Sequence, residues 1–209
     1  MEDVLEVYQR PFDPKRPQVC LDEQSVTLHE TPRGHLPVTP GEVVRQDYQY
    51  TRNGTVNLFI KVQPLTGWRR VHVTNRRTSL DMAQELRLLV DEDFPEAEKI
   101  VLITDNLNTH SPACLYAAFP PQEARRIAAK LEWHYTPEHG SWLNVAECEL
   151  SVLTRQCLNR RLPNKETVAQ EVAAWQLRRN SLQAKIHWQF TAEDARIKLR
   201  KLYPVVKEQ

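Results

Sequence analysis

Glycine is scarce in this sequence, and long apolar runs are absent from it. Only five glycines occur among 209 residues, and none forms the G-x-G-x-x-G pattern that binds dinucleotides at a strand-to-helix turn. No stretch approaches the roughly 18 consecutive apolar residues that a membrane-spanning helix needs. The N-terminus also lacks the basic and then apolar segments of a secretory signal. We therefore expect a cytoplasmic protein with no membrane partner, and nothing indicates a redox cofactor.

Cysteines are few, and their spacing is uninformative. Cys20, Cys114, Cys148 and Cys157 form no C-x-x-C pair and have no pair of histidines beside them at zinc-ligand spacing. A free cysteine in apolar surroundings usually behaves as a small hydrophobic residue. The sequence therefore supports neither a disulfide framework nor a zinc site.

Charge of one sign is not in excess either. The formal net charge is +1, whereas nucleic-acid-binding domains are often strongly basic. Arginines nevertheless occur in pairs, and a metal-dependent nuclease also carries carboxylates that cancel basic residues in the sum. Each pair alone is more typical of a solvated surface than of a phosphate contact. Net charge therefore does not decide whether the protein binds nucleic acid.

The N-terminal part of the chain changes character near residue 17. Residues 1–17 are polar and contain three prolines, which is typical of a linker-like segment. Residues 18–209 are predicted to form one domain that opens with a strand over 19–28. Residues 31–42 carry three prolines and two glycines and are predicted to be a loop.

Two further strands are predicted before any helix. Two β-rich runs flank Asn53-Gly54, which predicts a hairpin because both residues of such a turn take positive φ. A second turn at Thr66-Gly67 leads to a strand at 71–73. The first part of the domain is therefore predicted to be antiparallel.

Helices alternate with strands from there on. Thr78 and Asp81 resemble a capping box, Ile100 to Ile103 form an apolar run typical of a buried parallel strand, and Glu132 to Tyr135 predict a fifth strand. The order β-β-β-α-β-α-β-α is that of the ribonuclease H-like (RNase H-like) fold. We therefore predict an α/β protein with a mixed five-stranded sheet flanked by helices, and extra C-terminal helices. The remaining predicted helices begin at Ser111-Pro112, at Ser141 (through Leu158), at Asn164 (through Arg179) and at Thr191 (through Leu202).

Three acidic residues lie where a metal site needs them. Asp22 lies on the first strand, and Asp105 ends the most apolar strand, where ligands of open α/β sheets collect. Glu147 lies at the edge of the apolar stripe of its helix, where a buried carboxylate is usually paired or metal-bound. A turn or capping role for Asp105 and an arginine partner for Glu147 are the alternatives. Glu149 projects further from the stripe and is the weaker candidate.

Converging carboxylates are suited to phosphoryl transfer. Mg²⁺ prefers oxygen ligands and is commonly held by one or two carboxylates together with substrate phosphate. Two such ions, roughly 3.5–4 Å apart, activate the attacking oxygen and stabilise the leaving one. Three carboxylates are about the minimum that a protein contributes to such a site.

Three motifs contain the acidic residues: Cys20-Leu21-Asp22-Glu23, D-N-x-N-x-H from Asp105, and H-G-S-W-L-N-x-x-E from His139. Together they resemble the acidic motifs of bacterial insertion-sequence DDE transposases related to the mariner superfamily. The resemblance covers nearly the whole chain. It implies an RNase H-like catalytic domain in which Asp22, Asp105 and Glu147 bind two Mg²⁺ or Mn²⁺ ions. It further implies cleavage of DNA at transposon ends and transfer of the 3′-hydroxyl into target DNA, by a homodimer in the active complex and in the nucleoid region of the cytoplasm.

The resemblance also suggests roles for residues around the acids. Asn106, His110 and Asn144 are expected to orient the carboxylates or to contact the DNA backbone. For Trp142, core packing is favoured over stacking on a flipped base. Arginines proposed as phosphate contacts are Arg155, Arg160, Arg161, Arg178 and Arg179.

One departure from the resemblance concerns the N-terminus. Relatives carry helix-turn-helix domains that bind transposon ends, and no such domain precedes the first strand here, so a separate N-terminal helix-turn-helix protein or domain is an expected partner. The alternative to an enzyme is a truncated, non-catalytic regulator or remnant that binds DNA or transposase. A nuclease acting on RNA–DNA hybrids would share the metal site, but its motif blocks differ.

Overall fold

The computed structural model describes residues 1–31, 41, 49–107 and 109–203, so most of the predicted loop at 31–42 lies outside the described residues. Within them, five strands form one sheet in the order β3-β2-β1-β4-β5. The strands β1, β2 and β3 are antiparallel neighbours, and β4 pairs parallel with both β1 and β5. This confirms the predicted mixed sheet. The strands are β1 Gln18–Glu30, β2 Thr51–Gln63, β3 Trp68–Thr74, β4 Ile100–Thr104 and β5 Leu131–Tyr135.

Helices cover both faces of the sheet, and two apolar clusters result. On β1, Cys20 packs into one cluster with helices α1, α5 and α6, while Val19 and Leu21 pack into the other with α2, α3 and α4. Successive side chains of a strand point to opposite faces, so this separation follows from the alternation. No helix of the described residues is long and apolar enough to cross a membrane. The helices are α1 Glu2–Gln9, α2 Ser79–Leu88, α3 Ala113–Ala118, α4 Pro121–Lys130, α5 Val145–Leu153, α6 Lys165–Ser181 and α7 Ala192–Lys198.

The start of the chain is helical, which differs from the linker-like interpretation. Val4, Leu5 and Val7 of α1 are fully buried in the same cluster as Cys20. The prolines that suggested a linker follow α1 and connect it to β1. Helix α1 therefore belongs to the same core as the sheet, and a domain boundary at residue 17 stays a prediction.

The predicted hairpin at Asn53-Gly54 is wrong, because β2 continues through both residues. Thr27 pairs with Thr55 and His29 pairs with Arg52, so two residues of β2 lie opposite a single residue of β1. Gly54 has φ +88°, the left-handed conformation of the glycine in one kind of β-bulge. An Asn-Gly pair supplies positive φ to a bulge as well as to a turn, so the dipeptide alone does not distinguish them.

The other predicted turns and helix starts agree with the structure, with two refinements. The turn at Thr66-Gly67 joins β2 to β3, and Thr78 and Thr191 make the capping boxes expected of them. The helix predicted from Ser141 begins with a short 3₁₀ turn, and α5 proper starts after Asn144. The segment from Ser111 is divided into α3 and α4 by Pro120-Pro121.

Candidate metal centre

Asp22 and Asp105 lie side by side at one edge of the sheet. Cys20 of β1 pairs with Ile103 of β4 in parallel register, and each aspartate lies two residues beyond its member of that pair. Neighbouring strands are about 4.8 Å apart, so the two carboxylates enter the same crevice from adjacent backbones. This is the carboxyl end of β4, where α/β sheets usually bind ligands.

Asn144 connects this edge to helix α5. Its side-chain amide donates to the carbonyl of Leu21 at 2.9 Å and lies 3.4 Å from Oδ2 of Asp22. Its Oδ1 accepts from the backbone N–H of Ala146 at 3.1 Å, which makes it the N-cap of α5. Asn144 is fully buried. One side chain therefore fixes the start of α5 against β1.

Glu147 lies in the first turn of α5, three residues after this cap. It is half-buried, and its Oε2 is buried without a hydrogen bond to any described residue. A buried carboxylate oxygen without a partner costs free energy. Glu149 is different, because it is paired with the guanidinium groups of Arg69 at 2.8 Å and Arg179 at 2.6 Å. Of the two candidates on this helix, Glu147 is the one with an oxygen left for a ligand.

His110 joins Asp105 to Glu23, a residue that was not predicted as part of the site. The imidazole Nδ1 contacts Oδ1 of Asp105 at short range, and Nε2 lies 2.7 Å from Oε2 of Glu23. The hydroxyl of Thr104 lies 3.1 Å from the same Nδ1. The side chains of His110 and Glu23 are 1% and 4% exposed, so the contacts are shielded from water. Glu23 has the same strand parity as Val19 and Leu21, and that parity was the available signal that it is buried.

The electrostatic environment shifts two of these groups. Burial, together with the neighbouring carboxylates of Asp105 and Glu23, raises the pKa of Asp22 to about 7, although a hydrogen bond from the Glu23 N–H lowers it. Burial alone would lower the pKa of His110, but hydrogen bonds to Asp105 and Glu23 outweigh it and raise the pKa to about 9. Negative charge is therefore concentrated at this edge of the sheet.

The chemistry of the donor set fits a hard divalent cation. Carboxylate oxygens are the ligands that Mg²⁺ and Mn²⁺ prefer, and the unpartnered Oε2 of Glu147 is the kind of atom that a cation would satisfy. Among residues 1–31, 41, 49–107 and 109–203, however, no group of three or more His, Cys, Asp or Glu side chains lies close enough together to hold one ion. Ligand type and the unpartnered oxygen of Glu147 are therefore the two features that fit a divalent cation.

Two other predicted residues lie on the surface nearby. Asn106 directly follows Asp105 and is exposed. Trp142 is 43% exposed, so the predicted core packing is wrong. Its ring stacks on that of Trp188, with ring centroids 6.3 Å apart. It also makes an edge contact with the ring of Phe190, with centroids 5.7 Å apart. Trp142 is thus part of an aromatic surface cluster that adjoins Asn144.

The five predicted DNA-contacting arginines fall into two groups. Arg155, Arg160 and Arg178 line one groove of about 460 Å³, within which Arg160 also pairs with Glu171 at 2.5 Å. Arg179 instead donates to the buried Glu149, and Arg161 donates to the carbonyl of Gln49 and lies over the ring of Tyr50. The first group shares a surface, whereas the contacts of Arg179 and Arg161 are made within the protein.

A mixed sheet with this strand order, with Asp22 on β1 and Asp105 at the carboxyl end of β4, is an RNase H-like fold carrying a candidate metal-dependent phosphoryl-transfer site. The sequence profile of the DDE superfamily endonucleases matches residues 17–169. The chain therefore belongs to the DDE superfamily endonuclease family.

Known structures agree with this fold. The crystal structure of the mariner Mos1 paired end complex with Mg is similar to this chain, with a TM-score of 0.53 and 16% sequence identity. The similarity covers 90% of this chain and 56% of the Mos1 chain, so this chain spans little more than half the length of that protein. Comparison with curated proteins finds no match.

Proposed function

We propose that this chain is the catalytic domain of a DNA transposase that cleaves DNA at transposon ends and transfers the freed 3′-hydroxyl into target DNA. The observation that carries the proposal is the register of β1 and β4, which brings Asp22 and Asp105 to one edge of the sheet. Membership of the DDE endonuclease family supports hydrolysis of DNA. Strand transfer is the finer part of the proposal and has its own test below.

Asp22, Asp105 and Glu147 are the proposed metal ligands. Two Mg²⁺ or Mn²⁺ ions, when bound, would activate the attacking oxygen and stabilise the leaving oxygen in an in-line displacement. Asn144 holds the first turn of α5, and thus Glu147, against β1. His110 orients the carboxylate of Asp105, and the buried position of these groups limits competition from water.

The groove lined by Arg155, Arg160 and Arg178 is the proposed binding surface for the DNA backbone. Three guanidinium groups on one concave surface concentrate positive charge there, and arginine binds phosphate with two parallel hydrogen bonds. Arg161 and Arg179 are left out because neither of them lines this groove.

The similar Mos1 structure is described by its name as a paired end complex, and this description supports DNA as a partner. We propose that this chain acts as a homodimer on two DNA ends, in the nucleoid region of a bacterial cell. Because the chain spans 56% of the Mos1 chain, we further propose that a helix-turn-helix domain or protein supplies recognition of the transposon ends.

The test is metal-dependent nicking of a labelled DNA duplex, with Mn²⁺ binding measured by calorimetry. Glu147→Gln should abolish nicking and weaken Mn²⁺ binding, whereas Glu166→Gln should change neither. Glu166 is the matched control, since it is an exposed glutamate in the first turn of α6, which also begins after an asparagine cap. Strand transfer is tested separately with a duplex that already carries a free 3′-hydroxyl and a plasmid target.

The outcomes separate the candidate functions. Nicking and joining by the wild type, both lost in Glu147→Gln, support the transposase. Metal binding and nicking without joining would leave only the endonuclease. Absence of Mn²⁺ binding at millimolar concentration, with DNA present, would refute catalysis and favour a non-catalytic regulator.

A further inference from the structure

We propose that Glu23 is a positioning residue of the metal centre: it fixes the imidazole of His110 and, through it, the carboxylate of Asp105. This inference rests on the proposed function, because it assumes that Asp105 binds a metal ion. Glu23 directly follows Asp22 in sequence, but the two side chains lie on opposite faces of the sheet.

The opposite directions of Asp22 and Glu23 follow from strand alternation. Asp22 faces α5, where its Oδ2 lies 3.4 Å from the amide of Asn144. Glu23 shares the face of Val19 and Leu21, which pack against α2 and α3, and its side chain is only 4% exposed. A buried carboxylate in this apolar layer is costly unless it is paired. The pairing group is His110.

Both ring nitrogens of His110 are engaged, which leaves the ring one orientation. Nε2 lies 2.7 Å from Glu23 and Nδ1 contacts Asp105. The backbone N–H of His110 donates to the carbonyl of Leu107 at 2.9 Å, which fixes the loop that carries the ring. Rotation of the imidazole would break the contact with Glu23 and the contact with Asp105 together. The position of Asp105 Oδ1 therefore depends on Glu23, which lies 87 residues before His110 in the sequence.

Glu23 lies on the other side of the His110 ring from Asp105, the proposed metal ligand. Its second oxygen, Oε1, lies 3.7 Å from a guanidinium nitrogen of Arg77, so both of its oxygens have cationic or imidazole neighbours. Glu147, in contrast, has an unpartnered oxygen. Groups that orient a metal-binding carboxylate typically contribute about 10- to 100-fold in metal affinity. Loss of the Glu23 acceptor should therefore weaken metal binding without removing a ligand.

The experiment measures Mn²⁺ affinity by calorimetry in Glu23→Met, Glu23→Gln, His110→Gln and the Glu23→Met/His110→Gln double variant. Methionine fills the apolar layer but accepts no strong hydrogen bond, whereas glutamine keeps an acceptor for Nε2. Glu30→Met, on an exposed residue at the end of the same strand, is the matched control. In the metal-free protein, the His110 ring N–H protons are followed by NMR, with His110→Gln used for assignment.

The expected result is a loss of about tenfold or more in Mn²⁺ affinity for Glu23→Met, substantial recovery in Glu23→Gln, and no change in Glu30→Met. The double variant should bind no more weakly than His110→Gln alone, because Glu23 acts only through that ring. The exchange-protected Nε2–H signal of His110 should disappear in Glu23→Met.

Three results would overturn the inference. Unchanged affinity in Glu23→Met, with the protein folded, removes the positioning role. Additive losses in the double variant would mean that Glu23 acts on the metal directly. If the wild type binds no metal while the Nε2–H signal is present and lost in Glu23→Met, the proposed function fails together with the positioning role, and only the hydrogen bond remains.

Discussion

Replacement of Asn144 by alanine should destabilise this protein more than the loss of an ordinary helix cap. The side chain does two things: it caps α5 through Ala146, and it donates to the buried carbonyl of Leu21. Loss of an N-cap costs about 1 kcal/mol, and loss of the donor to a buried carbonyl adds about 1–3 kcal/mol. We expect Asn144→Ala to lower the free energy of unfolding by about 2–4 kcal/mol.

Asn164→Ala is the control for the loss in free energy of unfolding that is expected of Asn144→Ala. Asn164 caps α6 by accepting from the backbone N–H of Thr167 at 2.8 Å, but its side chain is exposed. Its loss should therefore cost only the cap, about 1 kcal/mol. Urea denaturation of both variants, in chelator and at one pH, gives the comparison. Equal losses would refute the reasoning, because they would show that the bond to Leu21 adds nothing to stability.

Two further predictions concern backbone and charge. Gly67→Ala should lower the free energy of unfolding by more than about 2 kcal/mol, because φ is +75° and an added Cβ would lie 2.6 Å from the backbone of Gln183. Gly54→Ala, with φ +88° and open space around it, should lower it by about 1 kcal/mol. Similar losses for the two variants in urea denaturation would show that the steric clash is unimportant. Asp22→Asn should stabilise the metal-free protein at pH 8, by an amount on the order of 4 kcal/mol, because its environment raises the pKa of Asp22 to about 7 and its ionisation opposes folding. A carboxyl whose pKa is raised in the folded state contributes stability that is fully present below about pH 4 and is lost as the pH rises through 7. The difference in free energy of unfolding between Asp22→Asn and the wild type should therefore vanish near pH 4. A constant difference between pH 4 and pH 8 would contradict the raised pKa of Asp22.

Local sequence patterns predicted the elements that carry the site. The apolar run ending in Asp105 predicted β4, and the asparagine and threonine caps predicted the starts of α2, α6 and α7, because these signals are contained within a few residues. The order of elements then predicted the mixed sheet. Asp22 lies early in β1 and Asp105 follows the end of β4, and the parallel register of Cys20 with Ile103 brings the two aspartates together.

Features that depend on distant contacts were not predictable. Periodicity favoured Glu147 over Glu149, but it did not predict that Glu149 is buried and paired with Arg69 and Arg179. The contact between Glu23 and His110 joins residues far apart in sequence. Whether Asn53-Gly54 forms a turn or a bulge depends on the length of pairing with β1. In each case the local pattern is compatible with two structures, and tertiary contacts select one.

Helix α1 supports the start of helix α5, which carries the proposed metal ligand Glu147. The hydroxyl of Tyr8 donates to the carbonyl of Leu143 at 2.7 Å and accepts from the N–H of Val145 at 3.3 Å, so it holds both residues that flank Asn144. Helix α1 lies outside the residues matched by the family profile, yet it supports the turn from which Glu147 projects. A displacement of α1 would therefore move the start of α5 without any contact with DNA or metal, through the Tyr8 hydroxyl and the apolar cluster that the two helices share.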